Sequence, residues 1–371
     1  MMQATKRYYG KEIPRNHQDL DVALRIWRSL LERHAILREG PEDSGKILML
    51  TMFSLAKEAS DLAKSKEERD FDSAFKIWST LLDMCDVMEQ IETGSSSRLV
   101  ATMRGVATEL TDIDKPPAER DTENGIRIWR TILQYGSKLA PYEPGPDPRG
   151  LAKVMLQVAG VALNGTHIEN EDNLRFGLQI LFSLIEERNH IEPEFSGLVD
   201  GAIRLAHLAV VRQSDMAFAR VDAFYTGDPV FDAHMHANLF YVIKEFEKVV
   251  ETAMRCPVEH PLVTSVQADA LRRLGRVAES ERLANRTLIL TGPHPQDYWQ
   301  ALSRARAYTC LANIARLRGD EEKTTTRHYQ DAAALARDFH FQTAPKMLSR
   351  LAVWMKIHGK RHEAVVLARE A

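Results

Sequence analysis

The sequence predicts an all-α protein, an α-solenoid of stacked helical hairpins, on three observations. One short phrase recurs at a fixed spacing. Each recurrence lies on an apolar stripe of helical period and is followed by a second such stripe. Toward the C-terminus a different recurrence sets a glycine between two Leu/Ala-rich stripes. A repeat of this size marks supersecondary units that cannot bury their own apolar face alone and must stack on neighbours.

The phrase is Ala23-Leu24-Arg25-Ile26-Trp27. It returns as Ala74-Phe75-Lys76-Ile77-Trp78, as Gly125-Ile126-Arg127-Ile128-Trp129 and, in weaker form, as Gly177-Leu178-Gln179-Ile180-Leu181. Trp27, Trp78 and Trp129 stand 51 residues apart, and Leu181 follows after 52. Apolar positions 23, 24, 27, 30 and 31 follow the spacing of a helix with one buried face. Asp19, Asp70 and Asp121 stand eight residues before each tryptophan, where a carboxylate can accept from the free N–H groups of a helix start. The second stripe of each copy contains a small residue, Ala56, Ala107, Ala159 or Ala206, which lets a neighbouring helix approach closely. Gly40-Pro41, the run Gly94 to Ser97 and the Pro-rich stretch from Pro141 to Pro148 punctuate the links.

Past residue 215 the rhythm changes. Three segments carry a stripe ending at Gly275, Gly319 or Gly359, each followed by an Ala-rich stripe. A glycine there ends the first helix in a left-handed conformation and lets the second fold back. These segments, with Ala270-Leu271, Leu311-Ala312 and Leu351-Ala352 before the glycine and Ala278, Ala332 and Ala364 after it, resemble a degenerate tetratricopeptide repeat over roughly the last hundred residues. The N-terminal phrases are similar to the second helix of a pentatricopeptide repeat, although a period of 51 carries over no base-reading position. Both resemblances imply an interaction surface built from helical hairpins. The organisation expected is a lead segment at 1–18, four repeats of about 51 residues at 19–214 and tetratricopeptide-like repeats at 215–371, with roughly 14 to 18 helices in all.

Hydrophobic residues make up 44% of the 371, enough for a continuous core, and no apolar run approaches the length of about 20 that spans a bilayer. Met1 to Gln18 lacks the apolar core of a secretory signal, and Gly10 and Pro14 interrupt any presequence helix. The chain can equally be a piece of a longer protein. Cys85, Cys256 and Cys310 are scattered, which suits buried thiols in a reducing interior. An intracellular, cytoplasmic setting is expected, with the mitochondrial matrix as the alternative.

The candidates for chemistry read as structural. His234 and His236 sit two apart in a helical stretch, Phe231 to Val250, and would point to different sides. His358 and His362 flank the turn at Gly359, which puts them on different helices. The Gly145–Gly150 segment has prolines where a phosphate loop needs backbone donors. The tryptophans lie in apolar stripes and read as packing rather than as a base-stacking ladder. No catalytic residue, cofactor or metal ligand is assigned.

Charge distribution is more informative. The chain holds 49 Lys/Arg and 52 Asp/Glu, but residues 272–371 hold 18 against 10, leaving 31 against 42 before them. A basic end on an acidic chain attracts polyanions or acidic proteins. Arg272, Arg273, Arg304, Arg306 and Arg327 are the expected partner-binding residues, since equivalent positions line up in a stacked array and the guanidinium fork suits carboxylate or phosphate. The expected function is a non-catalytic scaffold binding a protein partner, acidic in character, with no small-molecule substrate evident. The alternative is an RNA-binding helical repeat protein, in an organelle or elsewhere.

Overall fold

The computed structural model describes residues 17–33, 44–116, 119–139, 148–164, 170–191, 196–212, 214–341 and 343–371, and every regular element among them is helical. Compact packing divides the chain into two units, Met1–Val154 and Met155–Ala371.

The first unit contains α1 (His17–Glu32), α2 (Ser44–Ala59), α3 (Phe71–Asp83), α4 (Cys85–Ile91), α5 (Ser95–Leu110) and α6 (Thr122–Gln134). The division falls inside α7 (Pro148–Ala162). Trp27, Trp78 and Trp129 lie on α1, α3 and α6 and are all buried, as are Ala56 and Ala107. The 51-residue period is visible bond by bond. Arg69 donates from Nε to the Lys64 carbonyl and from Nη2 to the Leu62 carbonyl, both at 3.0 Å, clamping the loop after α2. Fifty-one residues on, Arg120 does the same to the carbonyls of Lys115 (2.8 Å) and Ile113 (2.7 Å). Lys76 pairs with Asp21 at 2.8 Å, and Arg127 pairs with Asp72 at 2.7 Å in the next copy. Asp70 caps α3 by accepting from the Ser73 N–H at 3.0 Å. Asp121 occupies the same position before α6 but accepts from the Asn124 side-chain amide instead, at 3.0 Å. The side chain of Asp19, Gly40-Pro41 and residues 141–147 lie outside the described residues.

Short elements exceed the expected two helices per period: Cys85–Ile91, Gly136–Leu139 and the 3-10 turn Glu187–His190 each follow a phrase-bearing helix. After α3 the chain enters α4, anchored by the buried Cys85 and Met88. Glu89 then accepts from the N–H groups of Gly94 and Ser96, both at 2.7 Å. This carboxylate caps α5 from outside it and favours the positive end of that helix. Gly94 itself has φ +82°, a left-handed conformation that glycine adopts without strain.

The second unit contains α8 (Glu171–Glu186), α9 (Ser196–Arg212), α10 (Ser214–Asp222), α11 (Pro229–Val242), α12 (Phe246–Met254), α13 (Pro261–Arg273), α14 (Val277–Thr291), α15 (Tyr298–Arg318), α16 (Glu322–Asp338), α17 (Ala344–Ile357) and α18 (Arg361–Glu370). The fourth copy of the phrase, on α8, therefore falls in the second unit. Gly275, Gly319 and Gly359 all have φ between +73° and +78°. In each turn the next residue's N–H reaches back five positions: Arg276 to Leu271, Asp320 to Ala315 and Lys360 to Met355, at 2.9–3.0 Å. This bond closes the orphaned carbonyls of the first helix.

The stretch Phe231 to Val250 is not one helix. It breaks at Lys244, which has φ +68°, and Glu245 N–H bonds the Phe240 carbonyl at 2.9 Å. Thus α11 and α12 form a further hairpin of the same type, with lysine in the glycine position. Small residues make the hairpin contacts: Ala268, Ala284, Ala307 and Cys310 are buried together. Buried polar handles cross between helices, with Trp354 Nε1 donating to Thr326 Oγ1 and the Tyr329 hydroxyl to Asn313 Oδ1, both at 2.9 Å. Among the described residues no helix is long and apolar enough to cross a membrane.

Candidate binding site in the C-terminal unit

Helix α9 is almost wholly apolar, yet it carries Asp200, Arg204 and His207 at helical spacing on one face. That face looks onto α15, which brings Tyr298 and Arg306. The Tyr298 hydroxyl donates to Asp200 Oδ2 at 3.1 Å, and both groups are buried. Edge-to-face contacts with Trp299 and Phe341, centroids 5.3 and 5.2 Å away, fix the tyrosine ring. Burial pushes the Asp200 carboxyl above the ordinary carboxylate range, with Arg306, Arg204 and the Tyr298 hydroxyl pulling the other way. Burial likewise pushes His207 down to about 3, and a hydrogen bond to the Met235 backbone offsets this only in part, so the imidazole is neutral at pH 7. His234 is held neutral by burial too, its Nδ1 lying 3.2 Å from the Leu262 carbonyl. The two ring nitrogens of His236 lie against the backbone carbonyls of Asp232 and Asp222, at 2.8 and 3.1 Å. His358 faces Glu322 at 3.2 Å and His362 lies on α18, so neither histidine pair converges.

Beside this network opens a cavity of about 630 Å³. Its cationic wall comes from three helices: Arg204 on α9, Arg306 on α15, and Lys346 with Arg350 one turn apart on α17. Its apolar wall includes Leu156, Leu205, Leu208 and Val242. Asp269 is the carboxylate among the lining residues, and it is already engaged. Its Oδ1 accepts from Arg272 Nε at 2.7 Å and Nη2 at 2.6 Å, and its Oδ2 accepts from the Tyr241 hydroxyl. Burial raises the Asp269 carboxyl, but Arg272 and Tyr241 outweigh it and hold the group below its usual range. The Tyr241 hydroxyl is pushed up to about 12, first by burial and then by Asp269. No ion pair joins Arg204, Arg306, Lys346 or Arg350 to a carboxylate among the described residues. Three buried polar atoms of lining residues also lack a hydrogen-bond partner there: His207 Nε2, Arg306 Nη1 and Thr343 Oγ1.

The five arginines singled out from sequence fall into separate settings. Arg306 lines the cavity. Arg273, exposed on α13, interacts with Tyr241 of the cavity lining. Arg272 is bound to Asp269 with its side chain 10% exposed. Arg304 is a structural clamp, donating to the carbonyls of Leu288 (3.0 Å) and Gly292 and to the Tyr308 hydroxyl (2.8 Å). Arg327 is 82% exposed with Asp331 4.0 Å away. They do not make one continuous track. Sequence reasoning missed Arg204, Lys346 and Arg350. The signal for the first was the polar face of α9, titratable residues at 200, 204 and 207 inside an apolar helix. No protein-family model matches the chain, and no curated protein sequence matches it.

Proposed function

We propose that this protein is a non-catalytic interaction scaffold, a tetratricopeptide-like array of helical hairpins that binds an acidic segment of a protein partner in the cavity of its C-terminal unit. The observation that carries this reading is the set of Arg204, Arg306, Lys346 and Arg350 lining a concave, partly apolar space whose one lining carboxylate, Asp269, is already bonded to Arg272 and Tyr241. Arginine forks bond carboxylates bidentately, and cations from separate helices hold fixed positions without the partner having to order them. Leu156, Leu205 and Leu208 in the same lining supply apolar surface for neighbouring side chains of the bound segment. The chemistry fits protein better than RNA. Single-stranded nucleic acid binds by stacking bases on aromatic faces, whereas Tyr241 of the cavity lining has its hydroxyl tied to Asp269 and sits among Phe240 and Phe246 packing.

The test is retention from native extract on the immobilised full chain, with and without nuclease. Retained protein should survive nuclease, weaken as salt rises, and be lost on the variant Arg204→Gln/Lys346→Gln/Arg350→Gln. Loss of everything on nuclease treatment would transfer the reading to RNA.

A further inference from the structure

The cavity holds more positive charge than a simple carboxylate can neutralise. Four cations approach from three helices, and the one lining carboxylate is saturated by Arg272 outside the cavity. Like charges gathered in a half-enclosed space repel one another strongly when no anion lies between them. Asp200 interacts with Arg306 and Arg204 but is not among the lining residues. Independently, Arg306 Nη1, His207 Nε2 and Thr343 Oγ1 have no partner among the described residues. Buried polar atoms without partners are uncommon in folded proteins, and three of them belong to residues lining one cavity.

A planar carboxylate presents two oxygens in one direction. A phosphoryl group presents three strong acceptor oxygens in a tetrahedron and carries close to two charges. Cations arriving from α9, α15 and α17 can each meet a different oxygen of such a group, which a carboxylate does not allow. We propose that the cavity binds a phosphorylated segment of the protein partner, with the phosphoryl group of a phosphoserine or phosphothreonine among Arg204, Arg306, Lys346 and Arg350 and its flanking apolar side chains on the leucine wall. This rests on the acidic-segment reading and narrows it.

The test uses the immobilised full chain and three degenerate peptide libraries, with phosphoserine, glutamate or serine fixed at the central position. The phosphoserine library should be retained, the glutamate library at least about tenfold more weakly and the serine library not at all. The variant Lys346→Gln/Arg350→Gln should weaken phosphoserine retention by about 100-fold, tenfold per cation lost. Lys346 and Arg350 both reach solvent, so that variant keeps the fold, which circular dichroism checks. The variant Arg255→Gln/Arg282→Gln removes the same charge from exposed positions outside the cavity lining and should retain the library within about twofold. Free phosphoserine should compete only at much higher concentration than the library. Equal retention of the glutamate and phosphoserine libraries, both lost on Lys346→Gln/Arg350→Gln, overturns the phosphoryl proposal and leaves the acidic-segment reading standing. Phosphoserine retention unchanged by that variant, or no retention of any library, overturns the cavity as the phosphoryl site. Free phosphoserine binding as tightly as the library overturns the peptide in favour of a small phosphate ester.

Discussion

His207 carries no charge at neutral pH because its surroundings deny it one: burial moves its pKa to about 3, against about 6.5 in an unfolded chain. His234, His260 and His328 are shifted in the same direction, also chiefly by burial. A base whose folded pKa is depressed stabilises the fold fully above its unfolded pKa, and that stability is lost as pH falls through 6.5 toward the folded value. Asp200 has the opposite sign, since its raised carboxyl pKa favours the fold at acid pH and loses that contribution as pH rises. Four histidines oppose one aspartate, so unfolding free energy should decline from pH 7 to pH 4, with the fully buried His207 adding up to about 1.4 kcal/mol per pH unit. Urea titrations across this range should show that slope, and the variant His207→Gln/His234→Gln should flatten it. An unchanged slope would place the acid sensitivity elsewhere. In the first unit, Trp78 is 1% exposed, with Phe75 edge-on at 5.7 Å. Trp78→Ala should cost about 3–5 kcal/mol, read as a lowered midpoint of thermal unfolding.

Helices approach closely where two side chains share one volume. A Cβ added to Gly125 would meet Thr111 Cγ2 at 2.4 Å, and Thr111 cannot swing away freely because its hydroxyl bonds the Ala107 carbonyl at 2.8 Å. One period earlier the same two positions hold Ala74 and Ser60, so the methyl has moved from one partner to the other. Gly125→Ala should therefore destabilise by about 1–3 kcal/mol, and adding Thr111→Ser should restore most of the loss. A double-mutant cycle by chemical denaturation measures the coupling. The turn at Lys244 gives the converse case. A side chain at φ +68° is strained, so Lys244→Gly should stabilise by about 1 kcal/mol, seen as a higher urea midpoint. The same residue explains why the sequence concealed this hairpin. Gly275, Gly319 and Gly359 announce their turns, whereas a lysine between Tyr241 and Phe246 reads as the middle of a helix. Helix α4 was hidden for a related reason: its seven residues are too few to show a period, and packing of Cys85 and Met88 makes it.

At the scale of the whole chain the helical architecture was legible because the apolar stripe recurs in all four N-terminal copies, the tryptophan in three of them and the turn glycine in the three C-terminal segments. The cationic cavity was not, because Arg204, Arg306, Lys346 and Arg350 lie on three helices that are not neighbours in the chain. Charge counting pointed to the basic end but could not separate Arg304, spent on carbonyls, from Arg306, which has an orphaned nitrogen. The acidic balance of residues 1–271 against the basic balance of 272–371 gives a further expectation. Partner association should slow with rising salt, and on-rates should fall more steeply than off-rates rise. Stopped-flow or surface-plasmon kinetics at several ionic strengths would check it, and salt-independent on-rates would remove charge steering from the account.

The paired clamps of Arg69 and Arg120 bear on how such a chain changes its copy number. Each clamp closes its loop using only atoms within the same repeat, and each inter-copy pair, Lys76 with Asp21 or Arg127 with Asp72, joins chemically equivalent groups. Excising residues 71–121 would join Asp70 to Thr122, leave Arg69 its loop, bring Asp21 opposite Arg127 and set Ser60 against Gly125. No new junction chemistry is needed, so unequal recombination in steps of one whole period can lengthen or shorten the array while its helices stay in phase.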